Sequence, residues 1–485
     1  MRNINKEIFL NAAACPTLGW LSRSGQLSDQ SAGKEKTLGE KFRMEQGNEI
    51  HKRARELFPN GLLIDNMDFE RGLRETKAAM DASAGGIIFD GAFLSEMFAA
   101  RPDILKRESK AWHLMEVKSS VNDKDEFIDD MAYTSMVMQG CGFKVTKVSL
   151  LLISKEFRLG MSTRSLFTEI DHTLEVLDRG KEFASIKTEI NQKTSARMKP
   201  KSEFLYVCRD CDQFKTCVAE KISHPIFEIP RLGEPKFNEL KSRGIFRVED
   251  IPQGFPFTEN QAIVKDSVQK KAPFIADTLK SDLDKVVWPA YYLDFETVMT
   301  AIPLYPEIAP FTQIPSEFSI HKCSKPGYVI DHKQYLADPK KDCRKELTER
   351  LINDLGQRGS IIMYSNFEKT IINSLSKLYP SFSKELNALV DRMVNLETII
   401  RKNYYHPEFH GSISIKNTLP VLVPGMSYAN LQIQEGDSAM AAFAYLALGR
   451  YKNEKEIGSI KSALLDYCKN DTLAMVNLHQ ELSRI

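Results

Sequence analysis

Trp112-His113-Leu114-Met115-Glu116-Val117-Lys118 is a mostly apolar run that ends in a Glu-x-Lys pair. Side chains alternate between the two faces of a strand, so Glu116 and Lys118, two positions apart, face one side together. Strand-like runs surround this stretch at 86–94 and 148–153, and helical periodicity covers about 40–57 and 124–139. Strands with interspersed helices make residues 1–225 an α/β unit. A second α/β unit is expected over 286–485. It opens with an apolar strand at 291–295, carries a buried strand at 360–364, and closes with a long helix over about 457–483. Residues 226–285 are Pro-rich and then polar and helical, with two short helices expected around Gly244 within 236–252. They are read as a small helical linker.

The chain has 485 residues, 42% of them hydrophobic and 27% charged, which suits two or three domains with ample cores and no need of disulfides. It lacks a run of about 18 uncharged apolar residues, so no membrane span is expected. Residues 1–16 make a poor secretory signal, and a cytoplasmic location is expected. Lys plus Arg number 66 against 65 acidic residues, so net charge neither favours nor excludes a nucleic-acid partner. The basic runs 34–41 and 197–201 either meet phosphates or form solvated faces.

Cys208-Arg209-Asp210-Cys211 followed by Cys217 forms C-x2-C-x5-C, and three thiolates at that spacing can converge on one metal or cluster. Cys15 is the candidate fourth ligand, closing a loop of 192 intervening residues (208 − 15 − 1). Four cysteines suit either zinc or an iron–sulfur cluster, and plain reduced thiols remain the third option. Zinc sites usually show two closely spaced pairs, which this pattern lacks. The other four cysteines, 141, 323, 343 and 468, are expected reduced.

Asp103 stands thirteen positions before Glu116 (116 − 103), a hairpin-like spacing, and His51 lies on the helix expected at 40–57. Far downstream, Asp294-Phe295-Glu296 repeats the two-acids-on-one-face pattern at the end of a strand. Tyr467 and Asp471, four apart on the closing helix, are also neighbours. Glu368 follows the strand at 360–364.

Taken in order, Cys15, His51, Asp103, Glu116, Lys118 and the three clustered cysteines resemble the iron–sulfur RecB-like nucleases of PD-(D/E)XK type. That group includes the CRISPR adaptation nucleases and AddB-type helicase–nucleases. The resemblance implies a restriction-endonuclease-like fold and a structural 4Fe–4S cluster on Cys15, Cys208, Cys211 and Cys217. It further implies Mg2+ or Mn2+ on His51, Asp103 and Glu116, with Lys118 orienting water or neutralising charge. One departure is Thr134, where this group usually has a glutamine.

Asp294, Glu296, Glu368, Tyr467 and Asp471 resemble the DEDD exonucleases of DnaQ type, which have an RNase H-like fold. The resemblance implies that the four acids hold metal and that Tyr467 orients or deprotonates water. Glu368 departs from the usual aspartate. The stretches 404–407, 411–416 and 464–468 resemble a bacterial family that fuses these two modules, and Ser414 and Lys416 either contact phosphate or pack a loop. The expected activity is hydrolysis of DNA, single-stranded or with free ends, with RNA as the alternative and 3′-end trimming by the second module. A helicase or defence-system partner stays open. The competing expectations are a nucleic-acid-binding scaffold with one or both sites silent, and a zinc-stapled interaction protein.

Overall fold

The computed structural model describes residues 2–27, 35–65, 68–81 and 86–485, so Lys34 of the basic run lies outside the described residues. The chain divides into two compact α/β units. The first comprises Met1–Lys36, Lys41–Glu220 and Thr300–Thr312, and the second Thr37–Glu40, Lys221–Met299 and Gln313–Ile485. Among the described residues no helix is long and apolar enough to cross a membrane.

In the first unit a six-stranded sheet runs in the order Leu62–Leu63, Ile87–Phe89, Ile104–Glu108, Ala111–Lys118, Val145–Ile153, Phe167–Asp171. Ala111–Lys118 pairs antiparallel with Ile104–Glu108 and parallel with Val145–Ile153. It is buried on both faces, which explains its near-continuous apolar reading. Leu114 packs among Met131, Tyr133 and Leu150, whereas Met115 and Val117 pack with Ile50 and Leu151. Glu116 and Lys118 share the face of Leu114. The helix Asp125–Gly140 links the two parallel strands and starts with Asp125 and Glu126, acids favoured near the positive end of a helix dipole. The single strand expected at 86–94 is two strands, Ile87–Phe89 and Phe93–Ser95. Asp90, at φ 54°, turns the chain between them, and the second strand forms its own hairpin with Phe98–Ala100.

The second unit holds a five-stranded sheet in the order Tyr328–Leu336, Ile314–Lys325, Ala290–Val298, Ile361–Met363, Met393–Asn395. The first three strands pair antiparallel and the last three parallel. Tyr291, Leu293 and Phe295 bury one face against Leu347, Leu351, Ile371 and Leu375. Removing Leu293 or Phe295 from water contributes about 1.5–3 kcal/mol each. The alternate residues face the 29-residue helix Glu454–Leu482, where Tyr292 Oη meets His479 Nδ1 at 2.8 Å. Asp294 and Glu296 therefore project toward that helix.

The residues read as a linker fold within the second unit, where Phe274–Ile275 pairs with Tyr404–Tyr405. The helix Glu234–Ser242 ends ahead of Gly244, which sits at φ 72°. The second expected helix is a single 3-10 turn, Val248–Asp250, because Pro252 cuts it short.

Candidate metal centres

Three elements of the second unit converge on one acidic centre. Asp294 and Glu296 come from the central strand, Tyr467 and Asp471 from the long helix, and Glu368 from the first turn of the helix Phe367–Leu378. One carboxylate oxygen from each of Asp294, Glu296 and Asp471 lies within 4.8 Å of the other two. Glu368 lies outside that tightest set but is hydrogen-bonded to Asp294, and its Oε2 has no partner. Cys468 Sγ sits 3.6 Å from Asp294 Oδ2.

These acids share one electrostatic problem. Burial, then the charges of Asp471, Glu296 and Glu368, push Asp294 well above the usual carboxylate range. Glu296 rises for the same reasons, Glu368 rises to about 7 and Asp471 to about 6, each with burial as the leading cause. Like charges this close cannot all ionise unless a cation gathers among them. The charge of Lys416 favours ionisation of Glu296 and Asp471. Ser414, by contrast, donates its hydroxyl to Asn417 Oδ1 at 2.7 Å.

Two further residues of this centre escaped the sequence reading. Tyr428 donates its hydroxyl to Asp471 Oδ1, and its ring lies 6.0 Å from that of Tyr467. Glu317 pairs with Glu296 across the antiparallel strands, is 1% exposed, and has no hydrogen-bond partner for either oxygen. Burial, then the charge of Asp471, pushes Glu317 up to about 8. An acid inside the run Ile314-Pro315-Ser316-Glu317-Phe318-Ser319-Ile320 was the available signal.

The first unit holds a differently balanced centre. Ile104 pairs with Met115, which brings Asp103 alongside Glu116, and Asp103 Oδ2 accepts the Val117 N–H at 2.7 Å. His51 Nδ1 stands 3.5 Å from Asp103 Oδ1. His51, Asp103 and Glu116 are thus neighbours, although they do not offer three donor atoms within 4.8 Å of one another.

Lys118 donates to Glu116 Oε1 at 3.1 Å and also to Asp130. Lys6, from the helix Lys6–Ala14, donates to the same Glu116 oxygen at 3.0 Å and lies 3.2 Å from Asp130. Burial pushes Glu116 up, but the Lys6 and Lys118 ammoniums prevail and hold it below its ordinary value. Asp103 goes the other way, raised well above the usual range by burial and by Glu116. Lys6 and Asp130 were not foreseen, because neither belongs to a short motif. Thr134 gives its hydroxyl to the Asp130 carbonyl at 3.2 Å. It also lines a cavity of about 400 Å3 with Asn5, Lys6 and Arg101.

The four cysteines of the sequence pattern line one cavity of about 200 Å3. Cys15 occupies the corner between the helices Lys6–Ala14 and Pro16–Ser24, which pack so closely that a Cβ on Gly19 would lie 2.3 Å from that of Ala12. Cys208 and Cys211 bracket the end of the 3-10 turn Tyr206–Asp210, and Cys217 closes the short helix Phe214–Cys217. The Leu205 N–H points at Cys208 Sγ at 3.4 Å, and Cys217 Sγ contacts Ser202 Oγ at 3.0 Å. Burial and the neighbouring cysteines raise the Cys208 and Cys211 thiols. No three of these sulfurs lie within 4.8 Å of one another.

Residues 291–414 match the family described as "Domain of unknown function (DUF2779)", a span that includes Asp294, Glu296, Glu317 and Glu368. The chain is also 25% identical over 229 residues to "Uncharacterized protein MG366" of Mycoplasma genitalium, covering 42% of this chain and 33% of that protein. It is 23% identical over 237 residues to "Uncharacterized protein MG366 homolog" of Mycoplasma pneumoniae, covering 43% and 34%. The chain therefore spans about a third of the length of these curated relatives.

Proposed function

We propose that the chain is a divalent-metal-dependent nuclease, hydrolysing phosphodiester bonds of DNA or RNA at free or single-stranded ends. The second unit is read as a DEDD-type exonuclease of RNase H-like fold that trims 3′ ends. The first is read as an iron–sulfur RecB-like nuclease of PD-(D/E)XK type. The observation that carries the proposal is the convergence of Asp294, Glu296 and Asp471 within 4.8 Å, with Glu368 beside Asp294. Four carboxyls raised first by burial, three of them also by neighbouring carboxylates, are a poor structural device and a good hard-cation site.

Asp294, Glu296, Glu368 and Asp471 would hold Mg2+ or Mn2+, which when bound supplies Lewis acidity toward a phosphate and a lowered pKa for water. The Tyr467 phenol is raised far above its ordinary value, first by burial and then by Asp471, so it stays protonated at neutral pH. It acts there as a hydrogen-bond donor that orients water. Tyr428, raised in the same way, holds Asp471 in place. Lys416 supplies positive charge that favours the ionised Glu296 and Asp471.

In the first unit, Asp103, Glu116 and His51 would take the cation and Lys118 would face the same phosphate. The cysteine cavity suits a structural 4Fe–4S cluster. Four thiolates about 2.3 Å from a single zinc would stand about 3.8 Å apart, closer than these sulfurs gather. The Leu205 N–H aimed at Cys208 Sγ matches the hydrogen bonding that tunes cluster sulfurs.

A second reading keeps the second unit active and makes the first a nucleic-acid-binding scaffold. It is favoured by Lys6, whose ammonium occupies the Glu116 oxygen that a metal would need. One experiment separates the readings: the full chain is incubated with end-labelled single-stranded DNA and RNA in Mg2+ or Mn2+. Degradation is expected, with Asp294→Ala removing 3′ trimming. A further loss in Glu116→Ala assigns activity to the first unit, and no change there leaves it a scaffold. Wild-type protein that leaves every substrate intact in both metals ends the nuclease proposal.

A further inference from the structure

Away from the acidic centre, the second unit gathers a different donor set. His224 Nδ1 lies 2.8 Å from Glu228 Oε2, and His410 Nδ1 lies 2.9 Å from Glu228 Oε1. His224 and Glu228 flank the start and end of one short stretch that closes with the 3-10 turn Ile226–Glu228. His410 follows a second turn, Pro407–Phe409, 182 residues downstream of Glu228. One donor atom from each of the three residues lies within 4.8 Å of the others. The two imidazoles stack with centroids 5.4 Å apart, presenting both Nδ1 atoms to one carboxylate.

The backbone is shaped for this meeting. His410 is held at φ 49°, a left-handed conformation that few side chains adopt, and Gly411 follows at φ 77°. A Cβ on Gly411 would stand 2.1 Å from the Glu228 carbonyl oxygen, so only glycine lets the His410 segment approach. The Glu228 side chain is 9% exposed and that of His410 is 47% exposed. The carboxylate is therefore enclosed while one imidazole stands at an entrance.

We propose that His224, Glu228 and His410 form a binding site for a first-row divalent transition ion, zinc foremost, separate from the two acidic centres. Two imidazoles and one carboxylate are a donor set that suits zinc, whereas magnesium and calcium prefer oxygen alone. Three protein ligands with a half-exposed His410 leave a fourth position to water. The residues that hold this ion tie two distant segments of the second unit together, so occupancy stiffens that unit. The competing account is an ion-free staple in which both histidines simply donate to Glu228.

The test uses the full chain, stripped with a chelator and titrated with Zn2+, and with Co2+ as a spectroscopic probe, in excess Mg2+ to fill the all-oxygen sites. His410→Asn keeps a residue that tolerates the left-handed backbone and removes the imidazole. His224→Ala removes the other. Wild type is expected to bind one more equivalent of Zn2+ than either variant and to show a Co2+ band set missing from both. Zn2+ is also expected to raise the melting temperature of wild type more than that of His410→Asn, a readout that remains should His224→Ala misfold. Equal uptake, identical Co2+ spectra and equal thermal shifts in wild type and His410→Asn would overturn the proposal in favour of the ion-free staple.

Discussion

Glu317 offers a measurement in which the cost of one buried charge can be isolated. Its carboxyl is 1% exposed, has no hydrogen-bond partner, and is raised from 4.5 to about 8. A carboxyl raised in the folded state keeps its proton more tightly there than in the unfolded chain. Its stabilisation is therefore full below the unfolded value and is lost as pH rises through the folded one. At about 1.4 kcal/mol per pKa unit, that ionisation costs the metal-free fold about 1 kcal/mol at pH 5 and about 4 kcal/mol at pH 8. Glu317→Gln removes the titration while keeping the shape. The amide brings its own penalty of about 1–3 kcal/mol for a buried unpaired group, but that penalty is the same at both pH values. Urea unfolding of the metal-free chain, wild type beside Glu317→Gln, should show the variant gaining about 3 kcal/mol on wild type between pH 5 and pH 8. Mg2+ gathered by the adjacent Asp294, Glu296 and Asp471 should shrink that gain. Stability differences that stay constant across the pH range would refute the claim that Glu317 carries an uncompensated charge.

Other outcomes follow from the same geometry. Activity of the second unit should rise with pH from about 6 upward, because Asp471 and Glu368, held at about 6 and about 7, and Asp294 and Glu296, held well above the usual range, must lose protons before they can take a cation. A pH–rate profile at a fixed, subsaturating Mn2+ concentration checks this, and a flat profile between pH 5 and pH 8 contradicts it. Lys6→Ala should strengthen Mn2+ binding to the first unit in an Asp294→Ala background, since it removes one of the two ammoniums held on Glu116 Oε1; calorimetry reading equal or weaker binding would show that Lys6 does not compete. Cys208→Ser should strip iron from the anaerobically purified chain and lower its melting temperature. Loop-closure entropy over a ring of this length would alone account for a loss of about 5 kcal/mol. A colourless wild type holding zinc and no iron would reverse the cofactor assignment.

Which parts of this could be read from sequence depends on range. Asp294 and Glu296, or Tyr467 and Asp471, were legible because strand and helix periods place them by local geometry alone. The break at Asp90-Gly91 was also legible in principle, since Asp-Gly is a turn signal. Lys6 was not, because its partner Glu116 stands 110 residues away and meets it through tertiary packing. Tyr428 on Asp471 and His410 on Glu228 escaped for the same reason, at separations of 43 and 182 residues. The second helix expected within 236–252 failed because Pro252 left room for a single turn.

The nine-residue helix Lys6–Ala14 begins at a residue that touches Glu116 and ends against the corner that carries Cys15. At about 1.5 Å per residue it is a stiff strut little more than 13 Å long. A missing thiol, or loss of the proposed cluster, is expected to be felt along this one rod at the acid that Lys6 holds. Damage to the cysteines should thus register as altered charge balance around Glu116 well before the unit melts.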